Sequence, residues 1–260
     1  DDLAWLADDE VFRRDQGVTV YPFLWIQTLG RRWEKARFVM QYGPIEDLAT
    51  EFEMELRVGP AGGSMGSTTA GSDEFWRTEA RLSRWFNVGR GHLFLRGVAW
   101  SDAGTRRARW YKYEALGGWV GRIGPEMSPW ITRVWAEYGQ GENLGGTNAL
   151  LLGLDRGTRT LDFDGMAGDH LMRWNVEQGK AMPWEILGLM RGGFAVFYNG
   201  GHAWWKDEGH DSGRIRHELG AGLRIGPTRS TNAMITRLDF TWDLDGSGSP
   251  VFTAITRGNF

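Results

Sequence analysis

The sequence predicts an all-β fold, an antiparallel transmembrane β-barrel of the outer-membrane type with roughly 12–14 strands in this chain. Three observations carry the prediction. Apolar and charged residues alternate with period 2 along the whole chain, the alternating runs are long, and the polar face mixes Arg, Asp, Glu and Asn. A helix would scatter those charges around its circumference, whereas a strand gathers them on one side.

Strand-like segments run over 17–29, 33–42, 46–58, 74–88, 91–102, 106–121, 128–139, 146–156, 169–178, 190–205, 213–226, 232–245 and 249–260. In 48–57, Leu48, Phe52, Met54 and Leu56 oppose Glu51, Glu53, Glu55 and Arg57. In 130–138, Trp130, Thr132, Val134, Ala136 and Tyr138 oppose Arg133 and Glu137. In 170–177, Met172, Trp174 and Val176 oppose Arg173, Asn175 and Glu177. In 214–225, Ile215, Leu219, Ala221, Leu223 and Ile225 oppose Arg214, Arg216, Glu218 and Arg224. In 234–245, Met234, Leu238, Phe240, Trp242 and Leu244 oppose Arg237, Asp239, Thr241, Asp243 and Asp245. Most segments run for about ten residues or more, against about 5–6 in globular sheets and about 9–11 in membrane-spanning strands. A strand over 3–12 would bring the count to fourteen, and 59–73, rich in Gly, Ser and Thr, reads as a loop.

Composition narrows the function. The 260 residues carry no Cys, which excludes disulfide scaffolds, zinc fingers, iron–sulfur clusters and thiol catalysis. A net charge of −3 argues against a nucleic-acid binder. A mean hydropathy of −0.41, with no run of about 18 apolar residues, excludes transmembrane helices. The 38 Gly and 15 Trp against only 8 Pro suit dense strands and tight turns. The chain starts at Asp1, from which removal of a signal peptide or of a longer N-terminal region is expected.

A soluble sandwich also alternates, but its polar face meets water and usually carries Lys, Glu, Thr and Ser. Here the basic residues are nearly all Arg and are interleaved with carboxylates. That suits a confined polar lumen, while the Trp-rich apolar face suits the lipid headgroup level. The lumen-facing set is expected to be Arg173, Arg214, Arg216, Glu218, Arg224, Arg237, Asp239 and Asp243, most simply as an ion-pair network. Leu238, Phe240, Trp242, Leu244 and the terminal Phe260 are expected to face lipid.

Residues 153–169, GLDRGTRTLDFDGMAGD, resemble the inward-folded loop of the bacterial surface antigen superfamily, the BamA- and TamA-type outer-membrane assembly barrels. Downstream, Asn175-Val-Glu177, the stretch Phe194–Trp204, the stretch Glu218–Gly226 and the stretch Arg237–Asp245 resemble that family's successive strands in order and spacing, over about 146–260. The resemblance implies a single barrel domain over 1–260 in the bacterial outer membrane, sixteen-stranded if upstream strands and periplasmic domains are missing. It implies a non-enzyme without cofactor or metal that works in protein or lipid assembly and transport, with a weak seam between first and last strands. Its partners would be the lipid bilayer, lipopolysaccharide and other envelope proteins. It also implies that Arg159 locks the loop inside the barrel against Glu177, with Asn199 nearby; Asn199 stands where the family commonly has Asp, and Thr160 and Leu161 replace the usual Gly and aromatic.

Alternatives stay open. A passive pore or structural barrel within a larger envelope complex fits the same strands. An outer-membrane lipid hydrolase would need a site among Asp211, Ser212 and His217, with His92, His170, His202 and His210 the remaining histidines. No nucleophile motif accompanies them. His202, Asp207, Glu208, His210 and Asp211 can be drawn as a cation site, but a solvated loop is the simpler reading.

Overall fold

A computed structural model of the chain describes residues 22–39, 45–61, 75–104, 108–145, 148–154, 157–161, 165–208, 214–228, 235–246 and 248–257. The fold is all-β and antiparallel. Its strands are β1 (Leu24–Thr28), β2 (Trp33–Arg37), β3 (Ile45–Ala49), β4 (Glu53–Ala61), β5 (Phe75–Val88), β6 (Gly91–Gly104), β7 (Ala108–Ile123), β8 (Trp130–Glu142), β9 (Leu150–Leu152), β10 (Met166–Gly168), β11 (His170–Ile186), β12 (Met190–Trp204), β13 (Arg216–Pro227), β14 (Ile235–Asp243) and β15 (Val251–Arg257). Eleven form one sheet in the order β1-β4-β5-β6-β7-β8-β11-β12-β13-β14-β15, while β2–β3 and β9–β10 are separate two-stranded ribbons. Among the described residues no helix is long and apolar enough to cross a membrane.

Several boundaries differ from those expected. The segment 46–58 is not one strand: it breaks at 50–52 into β3 and β4, which belong to different sheets. Leu48 is buried, while Phe52 and Met54 are exposed on the far side of the break, so the chain turns from the interior onto the wall there. Strand 33–42 stops at Arg37, and Phe38 adopts φ +61°, a left-handed conformation unusual for a bulky residue, held by complete burial of its ring. Segment 146–156 contributes only the three residues of β9, and 169–178 extends to Ile186. The main sheet therefore has eleven strands among the described residues against the 12–14 expected, and no pairing of β1 with β15 is described. Segment 3–12, most of loop 59–73 and Phe260 lie outside the described residues.

The two faces of the sheet invert the usual burial of a water-soluble protein. On one face Val196, Leu223 and Phe240 are each 52% exposed, with Val134, Val176, Phe194, Leu219, Trp242 and Phe252 also exposed. On the other, Arg133, Glu137, Asn175, Glu177, Asn199, Glu218, Arg224 and Asp239 are all buried. Strand parity dictates this split, since neighbouring residues point to opposite faces.

Two inserts cover the polar, inner face. The β2–β3 ribbon lies in the chain between β1 and β4, which pair directly with each other. Its Ala36, Phe38, Val39 and Leu48 form one buried apolar cluster with Trp85 of β5, Val120 of β7, Ile131 of β8, Ala181 of β11 and Ile235 of β14. Strands β5 and β14 stand seven steps apart in the sheet order, about 34 Å if it were flat at about 4.8 Å per step. A nine-residue cluster reaches both only because the sheet curves around the ribbon. At the other end of the strands, Leu150 and Leu152 of β9 pack over the inner face on Leu171 and Ala203.

Candidate functional site

The inner face of β8 and β11–β14 carries a connected set of charges. Register places Glu177 opposite Arg133 of β8 on one side and Phe197 of β12 on the other. Asn199 stands opposite Glu218, and Gly222 opposite Asp239. Arg133 Nη1 lies 3.1 Å from Glu177 Oε1. Arg224 donates through Nε (3.1 Å) and Nη2 (2.6 Å) to Glu177 Oε2, and through Nη1 (2.5 Å) to Asp239 Oδ1. A guanidinium presents its donors in a fixed fork, so one Arg can hold two carboxylates on different strands.

Glycines on the inner parity of β13 make the room. A Cβ on Gly220 would sit 2.2 Å from Phe197 Cζ, and one on Gly222 would sit 2.0 Å from Asp239 Oδ1. Phe197 and Asp239 lean across β13 because nothing stands there.

Loop residues 157–161 drop onto this set. The backbone N–H groups of Arg159 and Thr160 donate to the two carboxylate oxygens of Glu218 at 2.9 and 2.7 Å, and the Thr160 hydroxyl adds a third bond at 2.6 Å. Asn199 Nδ2 donates to the same carboxylate at 3.1 Å, while Asn199 Oδ1 accepts from Asn175 Nδ2 at 2.6 Å. The Arg159 side chain, 4% exposed, places Nη1 3.3 Å from Asp239 Oδ2 and its Cζ 3.7 Å from the Phe197 ring centre. Gly157 enters the loop at φ +122°, beside Arg173, in a conformation that side chains other than hydrogen rarely adopt.

The three residues expected as a lock lie in one network, but Arg159 meets Asp239 rather than the expected Glu177, whose oxygens are taken by Arg133 and Arg224. Arg159 and Glu177 are joined through Arg224, which bridges Glu177 to Asp239, and Asn199 meets the loop through Glu218. The remaining inner residues follow parity: Arg173 pairs with Glu137, Arg216 with Asp243 at 3.6 Å, and Arg237 stands opposite Arg224. Arg214 precedes β13 and is exposed. Phe240, Trp242 and Leu244 are exposed on the outer side, with Leu238 half-buried. Sequence reasoning put Arg133 on the polar face but not in the expected site, and left out Phe197. Arg133 shares its parity with Glu137; Phe197 is an aromatic on the polar parity between Ala195 and Asn199, which marks it as a surface for a cation.

The chemistry of this arrangement is anchorage. Glu177, Glu218 and Asp239 are each matched by guanidinium, amide or backbone N–H donors, and the Thr160 hydroxyl, the loop's own, donates to Glu218 as well. For the alternatives, Ser212, Asp211 and His210 lie outside the described residues. His217 Nδ1 is 2.6 Å from the Tyr198 hydroxyl, and buried His202 stacks on Trp204. Among the described residues no group of three or more His, Asp or Glu side chains is placed to share a metal ion. No protein-family model and no curated protein matches the sequence.

Proposed function

We propose that the chain forms an outer-membrane β-barrel of the surface antigen superfamily that works in protein or lipid assembly through its wall, with its lumen sealed. The observation that carries this reading is the inverted burial: charges packed inside and apolar residues outside suit lipid as the outer solvent. The occupied inner face supports a wall function over a pore. The β2–β3 ribbon packs on the inner face at one end of the strands and β9 at the other. The outermost strand β1 is the shortest of the main sheet, with 5 residues, which suits a weakly held seam.

Reconstitution tests it. The purified chain should insert into phosphatidylcholine vesicles, migrate faster unboiled than boiled on a gel, and give no steady conductance in a planar bilayer. It should also speed insertion of an unfolded small barrel protein into the same vesicles. A detergent-free, monodisperse monomer sinks the membrane reading, and a large constant conductance returns the passive pore. Normal insertion without any effect on a client leaves a structural barrel.

A further inference from the structure

A second feature lies on the outer wall, away from the ion-pair lattice. Arg84 of β5 alternates with Trp85, whose ring is buried in the inner cluster, so Arg84 points outward among apolar neighbours. Its Cζ lies 4.8 Å from the Phe52 ring centre and 4.6 Å from that of Phe86, and its Nε donates to the Thr50 carbonyl at 2.9 Å. The guanidinium is thereby held between two aromatic rings. Its Nη groups make no described bond, and among the described residues no carboxylate pairs with it.

Beside it runs a groove of about 450 Å³ floored by Gly97, Ala115 and Gly117 and walled by Leu82 and Leu95. Register makes the groove continuous: Arg84 is opposite Leu95, Leu95 opposite Gly117, and Gly97 opposite both Leu82 and Ala115. A Cβ on Gly97 would meet nothing within 4 Å, so the floor is open.

We propose that this groove binds one phospholipid, its phosphate on Arg84 and an acyl chain over Gly97 and Ala115. The inference rests on the membrane reading above. An outward-facing cation is tolerated next to hydrocarbon when it reaches an anion at headgroup level. Arg84 lies beside Thr50 and Phe52, where the chain crosses from the interior ribbon to the start of β4, and so near the rim of the wall. This is the end with the short turn 89–90, while β8 ends and β11 begins at the opposite end. Short turns mark the periplasmic side of such barrels, so the lipid is a phospholipid of the periplasmic leaflet. The match is one of charge and shape: a planar fork for a phosphodiester, then a smooth apolar trough for a chain.

The test uses the full chain, folded in neutral detergent with phosphatidylglycerol added, and native mass spectrometry to read the lipid retained. The unaltered chain should retain one phosphatidylglycerol. Arg84→Gln, which removes the cation, and Gly97→Leu, which fills the trough, should each weaken retention at least tenfold, while Arg90→Gln in the nearby turn leaves it unchanged. All four are first checked for insertion into vesicles and heat-dependent gel mobility. Variants that insert normally and retain lipid as well as the unaltered chain overturn the site and leave the membrane reading standing. Failure of the unaltered chain to insert overturns both. Glycerol phosphate competing as well as the lipid would make the acyl groove irrelevant and also overturns the proposal.

Discussion

Replacing Arg224 by Met keeps much of the side-chain length and removes the charge that ties β11 to β14. Four N–H bonds disappear, two to Glu177, one to Asp239 and one to the Leu223 carbonyl. Removing one partner of a buried ion pair typically costs about 3–5 kcal/mol, because the other charge stays buried. Here neither carboxylate is stranded: Glu177 keeps Arg133 at 3.1 Å, and Asp239 keeps Arg159 at 3.3 Å. The expected loss is therefore at the low end, about 3 kcal/mol. Urea unfolding in short-chain phosphatidylcholine vesicles, followed by tryptophan fluorescence, measures it. Glu177→Gln should cost a similar amount, and the double variant should fall short of the sum by about 1–3 kcal/mol. A loss below about 1 kcal/mol with additive behaviour would mean that water screens the lattice, and the reading of a dry, cross-linked interior would be wrong.

Three further outcomes follow from the same geometry. Arg159→Ala and Asp239→Asn should be non-additive by about 0.5–3 kcal/mol in a double-mutant cycle read by heat-dependent gel mobility and urea unfolding; simple addition would detach the loop from β14. Phe240→Arg on the exposed face should cost about 2–4 kcal/mol in vesicles, whereas Leu187→Arg in the 187–189 turn, where the side chain is 87% exposed, should cost almost nothing; equal costs would place β14 in water. Gly220→Ala pushes a methyl group into the Phe197 ring and should cost about 1–3 kcal/mol in urea unfolding, while Gly97→Ala, facing open space, should not; similar values at both would mean that Phe197 does not lie across β13.

Parity was the readable part of the sequence. Because strand side chains alternate strictly, Glu177, Glu218, Arg224 and Asp239 could be assigned to one face from spacing alone, and the structure buries all four. The expectation that Phe240 and Trp242 face away from them follows from the same rule, and both are exposed. What parity cannot carry is where a strand leaves the sheet. Trp33–Arg37 and Ile45–Ala49 alternate as wall strands do, yet they fold inward as a ribbon, because a period of 2 says which face is apolar but not which sheet the strand joins. The expected partner of Arg159 was Glu177, whereas the carboxylate beside its guanidinium is Asp239 of β14 at 3.3 Å. That pairing depends on the two glycines of β13, whose missing side chains let Phe197 and Asp239 reach across.

The β2–β3 ribbon sits in the chain between two strands that are immediate neighbours in the wall. That ordering constrains assembly in time. A ribbon of adjacent strands can form from local contacts in about 1–10 μs, whereas pairing β1 with β4 requires closing the whole of residues 29–52 into a loop. Local pairing therefore favours the ribbon forming first, and once β1 and β4 pair it is tethered at both of its ends through residues 29–32 and 50–52.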